Sequence, residues 1–191
     1  CKKEVKAVPV AFNADTLSEV EQLEINPLKS DTAKKKAEEK KDTVKKKEAE
    51  PEPKKVVSKY SKLNVFSGRA IDVDKGKKTI CFFAPGCDHC RAAAKELCAL
   101  VKQGKVPPMY IYFMDEEAEK IPDFFKEAGN AVPYQTLDPG SFWNTLGWGK
   151  QTPGVLFLWN GNEMKFFDGI EGNKFVAAEY VKACQLKYSG K

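Results

Sequence analysis

The tetrad Cys87-Asp88-His89-Cys90 joins two different residue patterns, and that junction constrains the fold more than any other stretch of the chain. Before it, Thr79-Ile80-Cys81-Phe82-Phe83 is apolar without polar alternation, the mark of a strand buried on both faces. After it, between Arg91 and Lys102, Ala94, Leu97, Cys98 and Val101 recur at helical spacing, and Gly104 stops the run. A strand that turns into a helix through Cys-x-x-Cys puts the first thiol on the turn, where the helix N-terminus stabilises a thiolate. The second thiol lies one turn in, within reach of a mixed disulfide on the first. The spacing predicts a reversible dithiol, with Cys87 the nucleophile and Cys90 the resolving thiol.

Charge and cysteine count narrow the alternatives. The net charge of +5 is uneven: residues 29–57 hold eleven lysines against seven acidic residues, and the remainder is nearly neutral. That balance argues against a nucleic-acid-binding face. No apolar run approaches the length of a membrane-spanning helix. Six cysteines (1, 81, 87, 90, 98 and 184) are too few for a disulfide scaffold, and they are not spaced as zinc half-sites. His89 is the only histidine, and haem attachment would need a histidine where Arg91 stands. The sequence therefore implies neither a metal site nor a cofactor. Cys1 followed by Lys2-Lys3 is what remains when a bacterial lipoprotein signal is removed and the cysteine is lipidated, so a lipid anchor at Cys1 is an expectation.

Composition divides the chain at about residue 57. Residues 4–28 mix apolar and acidic residues, with room for a short helix over 15–25 between Pro9 and Pro27. Residues 29–57 are Lys/Glu-rich and nearly devoid of apolar side chains, so folding cannot recover their ordering entropy. They read as a disordered charged tether, with lysines able to meet anionic headgroups. Residues 58–191 read as one globular domain. Short strands flank a turn at Gly68, and Ile80–Phe83 and Met109–Met114 are buried strands. Ala118–Ala128 is a helix disturbed by Pro122, and Asp138–Leu146 is a short helix. Val155–Trp159 and Met164–Phe167 form a hairpin about Asn160-Gly161-Asn162. A last helix spans Asn173 to about Lys187, with Phe175, Val176, Tyr180, Val181 and Cys184 on its apolar side. The result is an α/β fold, a mixed central sheet with helices on both faces.

Phe82-Phe83-Ala84-Pro85-Gly86-Cys87-Asp88-His89-Cys90, the stretch Ile121 to Leu146, and Thr152-Pro153-Gly154 leading into a Val-Leu-Phe-Leu strand together resemble the thioredoxin fold. The resemblance covers about 60–190 and is strongest to the TlpA/ResA-like bacterial extracytoplasmic thiol–disulfide oxidoreductases. A similar domain is appended to some DoxX-like membrane proteins. The resemblance implies that Pro153 is a cis-proline and that Thr152 offers its backbone to a substrate peptide. It implies an enzyme of the cell envelope or periplasm acting on protein disulfides, more as reductant than oxidant, recharged by a membrane electron donor. Two positions depart from the pattern: Gly86 stands where a tryptophan is usual, and Cys81 stands where a buried carboxylate is usual.

Several residues keep two readings. His89 stabilises the Cys87 thiolate while Asp88 opposes it. Glu163 is a candidate for the missing carboxylate. Cys81, Cys98 and Cys184 are small buried hydrophobes, or Cys98 and Cys184 form a structural disulfide if their helices bring them level. Phe142, Trp143 and Trp148 line a substrate groove or pack in the core, with Trp148, between glycines, the one expected to be exposed. A non-catalytic binding module with a structural Cys-x-x-Cys disulfide is the alternative to an enzyme, and a metal carrier the third reading.

Overall fold

Burial on both faces requires the strand before the dithiol to be central, and it is. In a computed structural model, which describes residues 51–190, β3 (Lys77–Phe83) is the middle strand of five. The expectations for Cys1 and for the tether up to residue 50 lie outside the described residues. β3 pairs in parallel with β4 (Met109–Met114) and antiparallel with β6 (Gly154–Trp159). β5 (Tyr134–Leu137) extends the sheet beside β4, and β7 (Asn162–Phe167) closes it beside β6. A two-stranded ribbon, β1 (Val65–Phe66) with β2 (Arg69–Ala70), precedes the sheet. The helices are α1 (Asp88–Lys102), α2 (Ile121–Ala128), α3 (Pro139–Leu146) and α4 (Ala177–Gln185).

Strand alternation sorts the apolar side chains into two cores. Cys81 and Phe83 join Ile111, Phe113, Val155 and Phe157 on the face covered by α1, α2 and α4. Ile80 and Phe82 join Tyr112, Leu156 and Leu158 on the other face, under α3 and the segment around Tyr60 and Phe66. Phe82 and Phe83 are both fully buried, worth about 2–3 kcal/mol each by area. The dithiol turn therefore grows from the most rigid strand of the molecule. Beneath it, the Tyr180 hydroxyl donates to Thr79 Oγ1 at 2.9 Å, tying α4 to β3.

The structure redraws several elements. α1 begins at Asp88, three residues earlier than the apolar spacing suggests, because Cys87 is its N-cap. Pro122 divides its segment into a single 3-10 turn, Ala118–Lys120, and α2, whose first turn accepts the proline. β5 carries a Tyr-Gln-Thr-Leu pattern with one fully buried residue, too polar to announce an edge strand. The hairpin turn is the two residues Asn160 and Gly161, both at positive φ (51° and 80°), and a register shift at Phe157/Leu158 leaves β7 starting at Asn162. α4 starts at Ala177 rather than Asn173, because Lys174 bridges to Asp168 and Val176 is extended and exposed.

Residues 51–57, assigned to the tether by composition, are stitched to the β6–β7 turn. Val56 N–H donates to the Asn160 carbonyl at 2.9 Å. Asn160 Nδ2 donates to the Pro53 carbonyl and to Glu52, both at 2.9 Å, and Asn162 Nδ2 to the Lys54 carbonyl at 2.9 Å. Pro53 is buried, and Lys55 pairs with Asp72 at 2.7 Å. This strap lies where β3 begins, at the end of the sheet away from the dithiol. Asn160→Ala removes three side-chain bonds, the two to the strap and the one its Oδ1 accepts from the Gly76 N–H at 2.8 Å, and leaves a non-glycine residue without its polar side chain at positive φ. The expected loss is about 2 kcal/mol, read as a lower urea midpoint with unchanged slope. An unchanged midpoint would show that the strap adds nothing to stability.

Candidate active site

Phe83 ends the central strand, and Ala84-Pro85-Gly86 carries the chain over the top of the sheet to Cys87. Arg91, one turn into α1, grips this link: its Nε and Nη2 donate to the Pro85 carbonyl at 3.1 and 3.0 Å. Its Nη1 pairs with Glu127 on α2 at 3.3 Å. Sequence reasoning treated Arg91 only as an excluded haem ligand; its clamping role depends on a fold that brings Pro85 and Glu127 to it.

Cys87 is the N-cap of α1 with extended backbone (φ −86°, ψ 116°), and its Sγ accepts the Cys90 N–H at 3.2 Å. A sulfur thus occupies the place of a capping oxygen, where backbone donors and the helix dipole favour negative charge. Cys87 is half-buried and Cys90 is buried. The Cys87 thiol is pulled down to about 6, first by the hydrogen bond from the Cys90 thiol, against the opposing cost of burial. The Cys90 N–H, the Thr152 side chain and the charge of His89 contribute further. Burial, followed by the neighbouring Cys87 sulfur, pushes Cys90 the other way and keeps it protonated. One sulfur is drawn towards thiolate, the other held as thiol.

Thr152 and Pro153 face the pair from the loop before β6, and their peptide bond is cis. The Thr152 side chain acts on both sulfurs, a role sequence reasoning missed because it considered only the backbone of this residue. Beside the dithiol runs a groove of about 360 Å³, lined by His89, Ala92 and Glu96 of α1, Thr152 and Pro153, and Phe175. Asp88 and His89 are both exposed. Trp148 is 77% exposed and donates to Asn144 Oδ1 at 3.0 Å, but it is not part of this groove. Phe142 is buried against Phe82, and Trp143 packs on Phe142, so both serve the core.

The remaining sequence candidates fall elsewhere. Cys81 is fully buried beneath the site, and burial raises its thiol, so it stays neutral where a carboxylate would carry charge. Glu163 does not replace that carboxylate: it accepts from Tyr60 Oη at 2.8 Å and pairs with Lys59. Cys98 and Cys184 are free thiols. The level placement that suggested a bridge assumed that α4 begins at Asn173. It begins at Ala177, with Cys98 Sγ directed at the Asn130 carbonyl and Cys184 packed by Tyr180.

A central mixed sheet with a Cys-x-x-Cys turn at the junction of β3 and α1 is the arrangement of the thioredoxin-like fold, and solved structures of that fold superpose on the chain. A secreted Mycobacterium tuberculosis disulfide oxidoreductase homologous to Escherichia coli DsbE matches with TM-score 0.52 at 14% identity, over 65% of this chain and 96% of that one. StoA from Bacillus subtilis matches with TM-score 0.50 at 14% identity, over 63% and 92%. In sequence, the chain is 48% identical to TlpB of Flavobacterium psychrophilum over 139 residues, 72% of this chain and 36% of that protein. The chain thus spans about a third of the length of this curated relative. No family model matches it.

The site makes a pH prediction. Cys87 titrates below an ordinary thiol, so its ionisation stabilises the reduced fold at high pH, and that contribution is lost as pH falls through about 6. Alkylation of Cys87 by iodoacetamide should rise with a midpoint near 6 and flatten by about pH 7.5, and Thr152→Val should move the midpoint upward. A midpoint near that of a free thiol, about 8.5, would contradict the assignment.

Proposed function

We propose that the chain is a thiol–disulfide oxidoreductase that reduces protein disulfides through Cys87 and Cys90. The observation that carries this reading is the asymmetric pair: a half-exposed Cys87 at the N-cap of α1, its Sγ accepting the Cys90 N–H, over a buried Cys90. The Cys87 thiolate attacks one sulfur of a substrate disulfide, whose partner sulfur leaves as thiolate. Cys90 gives its proton to that departing sulfur and attacks Cys87 Sγ, and the second substrate sulfur leaves as thiolate and takes a proton from solvent. The substrate gains two electrons and two thiols, and the protein is left with a Cys87–Cys90 disulfide, which an external dithiol donor must reduce. Thr152 and Pro153 hold the substrate strand beside Cys87 through backbone pairing.

The position of Cys87 on the pKa scale supports the reducing direction. Strongly oxidising members of this fold hold their nucleophile near about 3.5, and reducing ones near about 7. A value of about 6 lies closer to the reducing end, and an attacking thiol near ambient pH is close to its kinetic optimum. Access to Cys87 also favours exchange over the alternative of an inert structural disulfide.

An extracytoplasmic location belongs to the same proposal, with a membrane-bound electron donor as redox partner. Among the described residues, no helix is long and apolar enough to cross a membrane.

Trapping tests the roles. Cys90→Ser should hold substrate proteins in a mixed disulfide on Cys87, stable to gel electrophoresis and released by dithiothreitol. Cys87→Ser should trap none and lower disulfide reduction by at least about 10³-fold. Equal trapping by the two variants would overturn the assignment of nucleophile and resolving thiol.

A further inference from the structure

Gly86, directly before the nucleophile, has no side chain, and the carboxylate of Glu117 occupies that space. A Cβ at residue 86 would lie 2.8 Å from Glu117 Cδ and 3.2 Å from its Oε1, and closer still to Oε2. Glu117 reaches this position from the loop after β4, held at positive φ (59°) as the N-cap of the 3-10 turn. Lys120 pairs with Oε1 on one side, which leaves Oε2 against Gly86; the side chain keeps about half its exposure (48%). A negative charge therefore borders the turn that presents Cys87, on a side chain far away in sequence. The charged residues adjacent in sequence to this turn and loop are Asp88, Asp115, Glu116 and Glu119, all exposed, with Lys120 already paired to Glu117 and Arg91 engaged by Pro85 and Glu127.

We propose that Glu117 is a specificity-determining residue, which selects substrates carrying a lysine or arginine beside the cysteine that Cys87 attacks. This rests on the oxidoreductase reading and deepens it. Gly86 is the residue before Cys87, so a substrate strand that extends from Cys87 over Gly86 strips water from the Glu117 carboxylate. A cationic substrate side chain replaces that water with a charge-assisted hydrogen bond, whereas an acidic one meets like charge with no counter-ion to spare. Glycine at 86 is what lets the carboxylate approach, since any larger residue displaces it.

The test uses the full chain, pre-reduced, under single-turnover conditions. The substrates are two synthetic peptides, each closed by one disulfide and identical except for Arg or Glu before the first cysteine. The readout is the ratio of their reduction rates within each variant, which cancels any general loss of activity. At low salt the Arg peptide should react about tenfold faster, and the ratio should shrink at 0.5 M salt, where the Debye length falls to a few ångströms. Glu117→Gln and Gly86→Ala should bring the ratio towards one, and Glu117→Lys should invert it. Equal rates in the unmodified protein, or a preference that survives Glu117→Gln, would overturn the role of Glu117. Reduction of neither peptide would overturn the oxidoreductase reading on which it rests.

Discussion

The contact between Cys87 Sγ and Cys90, in which the sulfur takes a hydrogen bond from the Cys90 thiol and accepts the Cys90 N–H at 3.2 Å, is the interaction on which the site depends. It exists because the strand before it is too well buried to shift and the helix after it must be capped. β3 is paired on both edges and packed on both faces, so the end of Phe83 is fixed in space. α1 then offers unpaired backbone donors at its first turn, and the residue in the capping position is a cysteine. The same helix places Cys90 on its buried side, where desolvation keeps it a thiol. One local motif thus yields two sulfurs with opposite tendencies.

The surroundings refine this pair without carboxylate help from below. The position beneath the site is Cys81, neutral and buried, and Glu163 is committed to Tyr60 and Lys59. The groups that act on the sulfurs come from α1, His89 included, from the Thr152 side chain and from the Ala84 backbone. The Arg91 clamp on Pro85 restrains the connecting link from the other side. At the far end of the sheet, residues 51–57 are fastened to the β6–β7 turn, so the chain enters the domain from the pole opposite the dithiol.

Most of the architecture was legible in the sequence because it rests on strong periodic signals. The unbroken apolar runs of β3 and β4 and the helical spacing of Ala94, Leu97 and Cys98 each announce one element. What was not legible depends on neighbours. β5 is a short edge strand whose polar residues give no pattern, and the start of α4 is set by the bridge between Lys174 and Asp168. The placement of Cys87 and Cys90 at the junction of β3 and α1 was readable from spacing alone. The contacts of Arg91, the Thr152 side chain and Glu117 were not, because each is made only by folding: with a carbonyl, a sulfur and a glycine surface. Trp148 was correctly expected to be exposed, yet exposure by itself did not place it in the groove.

The central claim is that this geometry makes a reversible dithiol with a moderately stabilised thiolate. Its most direct test is the reduction potential of the Cys87–Cys90 couple, from equilibration against glutathione buffers with Cys87→Ser as control. A single two-electron transition between about −270 and −200 mV is the predicted result. A potential near about −120 mV would place the protein among oxidants, and no exchange at any poise would contradict the account altogether.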